Sequence, residues 1–393
     1  MPIDQHTLQP SELRMTKIAF SLLFILSLFL SMIASNNVYC QVYSNKEVGK
    51  KNTEFIDSLK AMEYPYVLPI WGAKATNLGF NLPYSAGLGV NYIWQKSDLI
   101  IDNLQVGFNN GPLYNLDEIV RFNEATSELS GFNFRPDIWL FPFLNIYAVI
   151  AKGSPNTTVN FGVWVPDSTN TWNEVFSTTS KASFQSTSMG FGMTPTMGVG
   201  GGWLALDMNV TWTDIPALED PAFAFIFGPR LGKSFKLGKP EQTLNFWVGG
   251  FRLKLNTGTK GTLPLDELLE LDGLEEKIST GIARVSEAQE QVDTWWNNLT
   301  PPQQANPVNK AKYETANRAL ATAGNVLNAA DEAVQNAENS TVEYSLDKRP
   351  KDKWNFVIGS QYQLNKHFMI RAEYGFLSSR KQFIGMLQYR FGL

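Results

Sequence analysis

The chain has 393 residues, of which 18% are charged and 13% aromatic, and it carries a net charge of −4. Its mean hydropathy is −0.17 and its isoelectric point about 5.5. Mild acidity leaves no basic footprint for nucleic acid, the aromatics exclude a disordered chain, and a helical membrane protein would need several apolar runs of ~20 residues.

One such run exists, Ile18 to Ala34, preceded by Lys17 and followed by the polar stretch Ser35 to Gln41. A positive start, an apolar core and a polar exit read as a secretory signal peptide covering residues 1–40. An uncleaved anchor is the alternative. Val38 and Cys40 suit the −3 and −1 positions, which places cleavage before Gln41. Asp4 and Glu12 suit the positive region poorly, so Met15 is the expected initiator. Cys40 is the only cysteine, and the bulky Tyr39 before it argues against lipidation. A chain cleaved there carries no thiol and must be held without disulfides.

Residues 41–84 read as an N-terminal periplasmic segment or a small plug. Thr53 to Met62 has the pattern of a short helix, and Pro65, Pro69 and Pro83 break any longer element.

From Ala86 onward the period is two. Leu88, Val90, Tyr92 and Trp94 share one face, with Gly89, Asn91, Ile93 and Gln95 on the other. Leu204 to Trp212 and Phe223 to Leu231 repeat the pattern, placing Ala205, Asp207, Gly228 and Arg230 on the small or polar face. Nine segments precede the insertion, about 86–101, 103–109, 131–140, 143–152, 158–165, 184–198, 202–213, 222–235 and 243–255. Many run 10–14 residues, long for globular strands of five or six and suited to a tilted membrane crossing of ~9–11. A large apolar face fits lipid, and a face of Gly, Ala, Ser and Asn fits a crowded or wet lumen. A soluble β-sandwich alternates too, but one core of this size would struggle to bury so many aromatics.

Between about 264 and 345 the strand period is lost. Leu274, Ile278, Val285, Val292 and Trp295 follow helical spacing, as do Leu320, Leu327 and Val334 beyond Thr300-Pro301-Pro302. Two heptad stretches joined by a Pro-rich loop predict an antiparallel coiled-coil hairpin, its first helix about 26 residues and ~39 Å long. Charges on the remaining faces exclude membrane spans. The hairpin is either a lid or spacer, or a contact arm for a partner protein.

Three further segments, about 353–365, 367–377 and 381–392, bring the expected total to about twelve. The last, Gln382 to Leu393 (QFIGMLQYRFGL), has hydrophobic residues at alternate positions counted from the end: Leu387, Tyr389, Phe391 and Leu393. It resembles the C-terminal strand of Gram-negative outer-membrane β-barrel proteins, although the terminal residue is Leu393 rather than an aromatic. That resemblance implies outer-membrane location and a signal read by the barrel assembly machinery. The expected fold is all-β, a closed antiparallel transmembrane barrel over 85–255 and 353–393 with a helical insertion over 256–352. If the C-terminus is periplasmic, as the class implies, counting back three strands puts the insertion outside the cell.

Arg135, Asp137, Asp207, Arg230, Arg371, Glu373 and Arg390 fall on expected inward positions. Either they fill the lumen as an ion-pair network or they form a constriction selecting solutes by charge. Enzymatic chemistry lacks its parts. The two histidines are His6, ahead of the signal, and His367, at an expected turn, and no serine is spaced to make a dyad. No metal-ligand spacing exists, and the Gly198 to Gly202 stretch lacks the Lys-Ser/Thr of a phosphate loop. No cofactor is expected. The leading expectation is a passive channel or transporter for a small solute. The alternative is a structural or surface-interaction protein whose hairpin binds a partner, with a lipid hydrolase third.

Overall fold

The computed structural model describes residues 53–61, 63–199, 201–216, 218, 220–239, 241–255 and 258–393. The expected signal peptide over 1–40 lies outside the described residues. Two short helices, α1 (Thr53–Ala61) and α2 (Gly72–Asn77), precede the sheet. Then come β1 (Ala86–Phe108), β2 (Tyr114–Asn115), β3 (Val120–Phe141), β4 (Leu144–Pro166), β5 (Trp172–Ser183), β6 (Ser186–Val199), β7 (Gly202–Asp214), β8 (Ala222–Lys236) and β9 (Thr243–Leu255). The insertion holds β10 (Gly258–Pro264), the helices α3 (Leu265–Leu268), α4 (Leu274–Asn297), α5 (Pro301–Gln304) and α6 (Pro307–Val334), and β11 (Thr341–Pro350). The chain ends with β12 (Trp354–Gln363), β13 (Phe368–Leu377) and β14 (Arg380–Phe391).

Ten strands close into a barrel. The order β1-β3-β4-β6-β7-β8-β9-β12-β13-β14 returns to β1, every pair antiparallel. The seam is continuous, from Ala86 opposite Phe391 to Ser97 opposite Arg380. Closure leaves no edge whose amides would go unpaired in lipid.

The expected count of about twelve is therefore corrected to ten, because two pairs of segments fuse. Segments 86–101 and 103–109 are one strand, β1, interrupted by a register shift between Asp102 and Gln105. Asn103 there takes φ +54°, a left-handed conformation that Asn tolerates. Segments 143–152 and 158–165 are likewise the two halves of β4.

The barrel is inside-out relative to a soluble protein. Its outer surface shows Val90, Phe132, Phe191, Val248, Phe356, Ile370 and Leu387. Its interior buries Asn91, Asp137, Arg230, Asn245, Gln361, Glu373 and Arg390. A sandwich would bury the first set and expose the second. Among the described residues no helix is long and apolar enough to cross a membrane; the crossing is made by strands.

At the end away from Leu393 the sheet continues past the barrel. Upper β1 leaves β14 and takes β11 as its neighbour, with Leu99 opposite Pro350, and β11 pairs with β10. Upper β3 and β4 stay paired, and β4 exchanges β6 for β5 beyond Gly153. The two edges approach where Ser180 of β5 bridges Leu269, just past α3, and Lys181 meets Glu270 at 2.5 Å. These strands form the wall of a cup.

The helical hairpin lies across that cup. α4 and α6 are antiparallel, joined through α5, where Thr300 and Gln303 make a capping box. Asn306 caps α6 by accepting from the Val308 amide at 2.9 Å, and Pro307 follows at the first helical position. The expectation of a two-helix coiled coil needs correcting. Leu274, Ile278, Val285, Val292, Leu320 and Leu327 are buried as expected, but in one cluster with Ile119, Val163, Val165 and Phe176 of the sheet. The apolar stripe is wider than a two-helix seam because it faces a second helix and a sheet.

Candidate functional site

Two regions carry candidate chemistry: the lumen and the cup. In the lumen, strand alternation brings all seven expected charges inward. Glu373 on β13 accepts from Arg230 of β8 twice, at 2.6 Å from Nε and 2.9 Å from Nη2. It also accepts from the Trp247 indole of β9 at 2.8 Å. Arg371 lies 3.6 Å from the same carboxylate and stacks over Trp247. On its other side Arg230 reaches Asp207 at 3.3 Å. Asp207 accepts from the Tyr147 hydroxyl at 2.7 Å and from Thr194 at 2.8 Å. Arg135 covers the Tyr147 ring at 3.6 Å. A second group joins Arg390 to Asp137 at 3.2 Å, with Asn145 donating to Asp137 at 2.7 Å and Gln388 donating to its other oxygen.

These bonds join strands one to three places apart around the ring of ten, so the charges are paired along the wall of the lumen. Nearer the cup, Asn355 meets Gln382, and Arg380 reaches the Asp352 carbonyl at 3.0 Å. Gly359 makes room for the Trp247 indole, which a Cβ there would overlap. Trp247 and Tyr147 are central to the network and were not singled out from sequence. The signal was present, since each shares strand parity with a buried asparagine, Asn245 and Asn145.

The leader bonds to the rim of the other mouth. The Leu68 amide donates to the Leu393 carbonyl at 3.1 Å, and the Ile70 amide donates to Leu140 at 2.9 Å. Arg390 Nε donates to the Tyr84 carbonyl at 3.0 Å. A cavity of about 140 Å³ remains between Asn81-Leu82-Pro83 and the charge network, lined also by Lys236 and Lys366. His367 sits at this rim with Nδ1 2.8 Å from the Arg390 carbonyl and its ring on Tyr389. Leu387, Tyr389 and Leu393 face outward from the last strand, with Phe391 stacked on Tyr389.

The second region is the cup interior. Its cavity of about 260 Å³ is bounded by β1, β3, β4, β5, β10 and β11, roofed by α3, α4 and α6, and flanked by Ile215 and Leu218 from the β7–β8 connection. The lining is mostly Leu, Val, Ile and Phe. Of the expected hairpin core, Val334 lines this cavity, whereas Trp295 is only partly buried and borders an open groove beside Ser168. Arg318 ties α6 to Glu118 at 2.9 and 3.0 Å, and this pairing raises the guanidinium's pKa further.

An apolar belt around a closed ten-stranded barrel with a charged interior decides the class. The chain is an outer-membrane β-barrel. No protein-family model matches it, and no curated protein does. Among solved structures it is similar to the β-domain of the Bordetella autotransporter Brka, at 9% identity and a TM-score of 0.27, over 78% of this chain and 100% of that one. It is similar to the transport unit of the autotransporter AIDA-I from Escherichia coli, at 9% identity and 0.29, over 88% and 100%. A FadL homologue of Pseudomonas aeruginosa matches at 9% and 0.25, over 86% and 98%. Likenesses this low carry no argument of their own, and the barrel rests on its own strand pairing and surface.

Proposed function

We propose that the barrel is a surface receptor for a small, largely apolar ligand: a plugged transmembrane anchor holding a roofed binding cup on the extracellular side. The observation that carries this is the contrast between the two interiors. The lumen holds buried ion pairs between its strands and leaves a cavity of about 140 Å³ among charged side chains, while an apolar cavity of about 260 Å³ lies beyond the membrane belt. A cavity near 300 Å³, mostly apolar with a few polar groups, is what small ligands select. The extracellular assignment follows from the side of the termini. Leu393 and the leader sit at the opposite end, and the final strand has the alternation that the barrel assembly machinery reads from the periplasm.

This reading favours binding, as the first step of uptake, over a standing passive channel. It also limits the interaction-arm alternative. The apolar faces of α4 and α6 are covered by the chain's own sheet, so a protein partner would have to engage the polar outer face. The test is conductance of the purified protein in a planar bilayer. Silent membranes are expected, and steady ohmic channels from the wild-type protein would overturn the plugged-anchor reading.

A further inference from the structure

The cup's lining is not uniform along its depth. Strand register orders it. On β11, Val342, Tyr344, Leu346 and Lys348 alternate inward from the roof end to the floor. Lys348 pairs with Ile101, three residues above Asp98, the last β1 residue paired to β3 in the barrel. Ser127 and Thr157 face each other deeper still, where Ser127 pairs with Ser97, and also line the cavity. At the roof the lining is wholly aliphatic, from Leu274, Ile278 and Leu327.

Lys348 is the one ionisable ammonium in that lining. No ion pair or hydrogen bond engages it among the described residues, although its neighbours in sequence are paired: Asp347 with Asn103 and Arg349 with Asp102. Those two side chains alternate to the outer face. An unpartnered cation in an apolar chamber is costly unless something neutralises it. Tyr344 is the other titratable group on the lining, and as a phenol it supplies no negative charge at neutral pH.

We infer that the cup takes a single-chain amphiphile head-down, its carboxylate against the Lys348 ammonium, its alkyl chain rising to the helical roof. The inference rests on the cup being the binding site and adds the chemical class of the ligand. Burial lowers the Lys348 pKa, as expected for an ammonium waiting for a counter-ion. An anion would reverse that shift.

The test is calorimetric titration of dodecanoate and of methyl dodecanoate into the full chain in lipid nanodiscs, with empty nanodiscs subtracted. The carboxylate should bind about ten- to a hundredfold more tightly than the ester, the range for a charge-assisted hydrogen bond. Lys348→Met should erase that preference and leave ester affinity within about twofold, while Lys348→Arg should keep it. Lys348→Met removes an unpaired ammonium from a mostly apolar lining and so should fold at least as stably as wild type. Equal binding of acid and ester would overturn the headgroup assignment and leave the cup reading standing. A preference that survives Lys348→Met would also overturn it. Binding of neither probe would overturn both.

Discussion

Replacing the two partners of the lumen's central ion pair should have unequal costs. Arg230 is 6% exposed and Glu373 2%. In Arg230→Met, two carboxylates lose their main cation. Glu373 keeps the Trp247 indole and the more distant Arg371, and Asp207 keeps the hydroxyls of Tyr147 and Thr194 with Arg135 beyond the Tyr147 ring. Orphaning a buried charge costs about 3–5 kcal/mol. In Glu373→Gln the arginine keeps Asp207 and can still donate to the amide oxygen. The loss is then that of charge-assisted bonds, about 1.5–3 kcal/mol. The double variant should cost less than the sum by about 0.5–3 kcal/mol, because the second change removes a group already orphaned. The assay is urea unfolding in detergent micelles followed by tryptophan fluorescence, with heat-modified gel mobility as a check on barrel closure. Additive costs, or both single variants within about 1 kcal/mol of wild type, would refute the view that this pair is a buried, mutually dependent bond.

Other outcomes follow from the leader and the cup. Burial, with Tyr66 as a smaller contributor, raises the Tyr64 pKa from 10.0 to about 12. Its hydroxyl donates to the Leu68 carbonyl at 2.8 Å. Because the undocked phenol ionises first, docking is fully favoured below pH 10.0 and weakens as pH rises from 10.0 to about 12. Protease sensitivity of the leader across that window should show the loss, and Tyr64→Phe should flatten it. Leu327→Ala, at a side chain 2% exposed in the shared helix–sheet cluster, should cost about 2–5 kcal/mol. Hydrogen exchange should localise that loss to the cup and hairpin, and equal deprotection of β12 to β14 would contradict a separate upper core.

The barrel was legible because lipid imposes period two on every strand that crosses it. Phe246 and Val248 outside and Asn245 and Trp247 inside differ enough to be read without coordinates. The seven lumen charges followed from the same parity. The cup was not legible, because its walls answer to a different environment. β5 reads TTSKAS over its second half and β11 reads EYSLDK, and neither has a lipid face to mark it. Their inward residues meet helices, their outward residues meet water, and both look like loop in composition. The two halves of β1 were read as separate strands because the shift after Asp102 breaks the alternation just where the strand leaves the membrane. Helical spacing in α4 and α6 named Leu274, Ile278, Val285, Val292, Leu320 and Leu327, which are buried, and Trp295 and Val334, which are not fully so, but could not reveal that a sheet covers the third side. Lys348 was invisible for a simpler reason: its isolation depends on Asp347 and Arg349 pointing the other way.

β1 carries β14 and then β11 along a single edge, with Ser97 opposite Arg380 and Leu99 opposite Pro350. The closing seam of the barrel and a wall of the cup are thus two stretches of one zipper. A slip of one residue at the seam would invert the lipid-facing and lumen-facing sets of the last strand. Because the same edge continues upward, it would also disturb the strand that presents Lys348 to the cavity. Barrel closure and cup formation are therefore checked together: a copy whose barrel has closed in the wrong register has no properly formed cup.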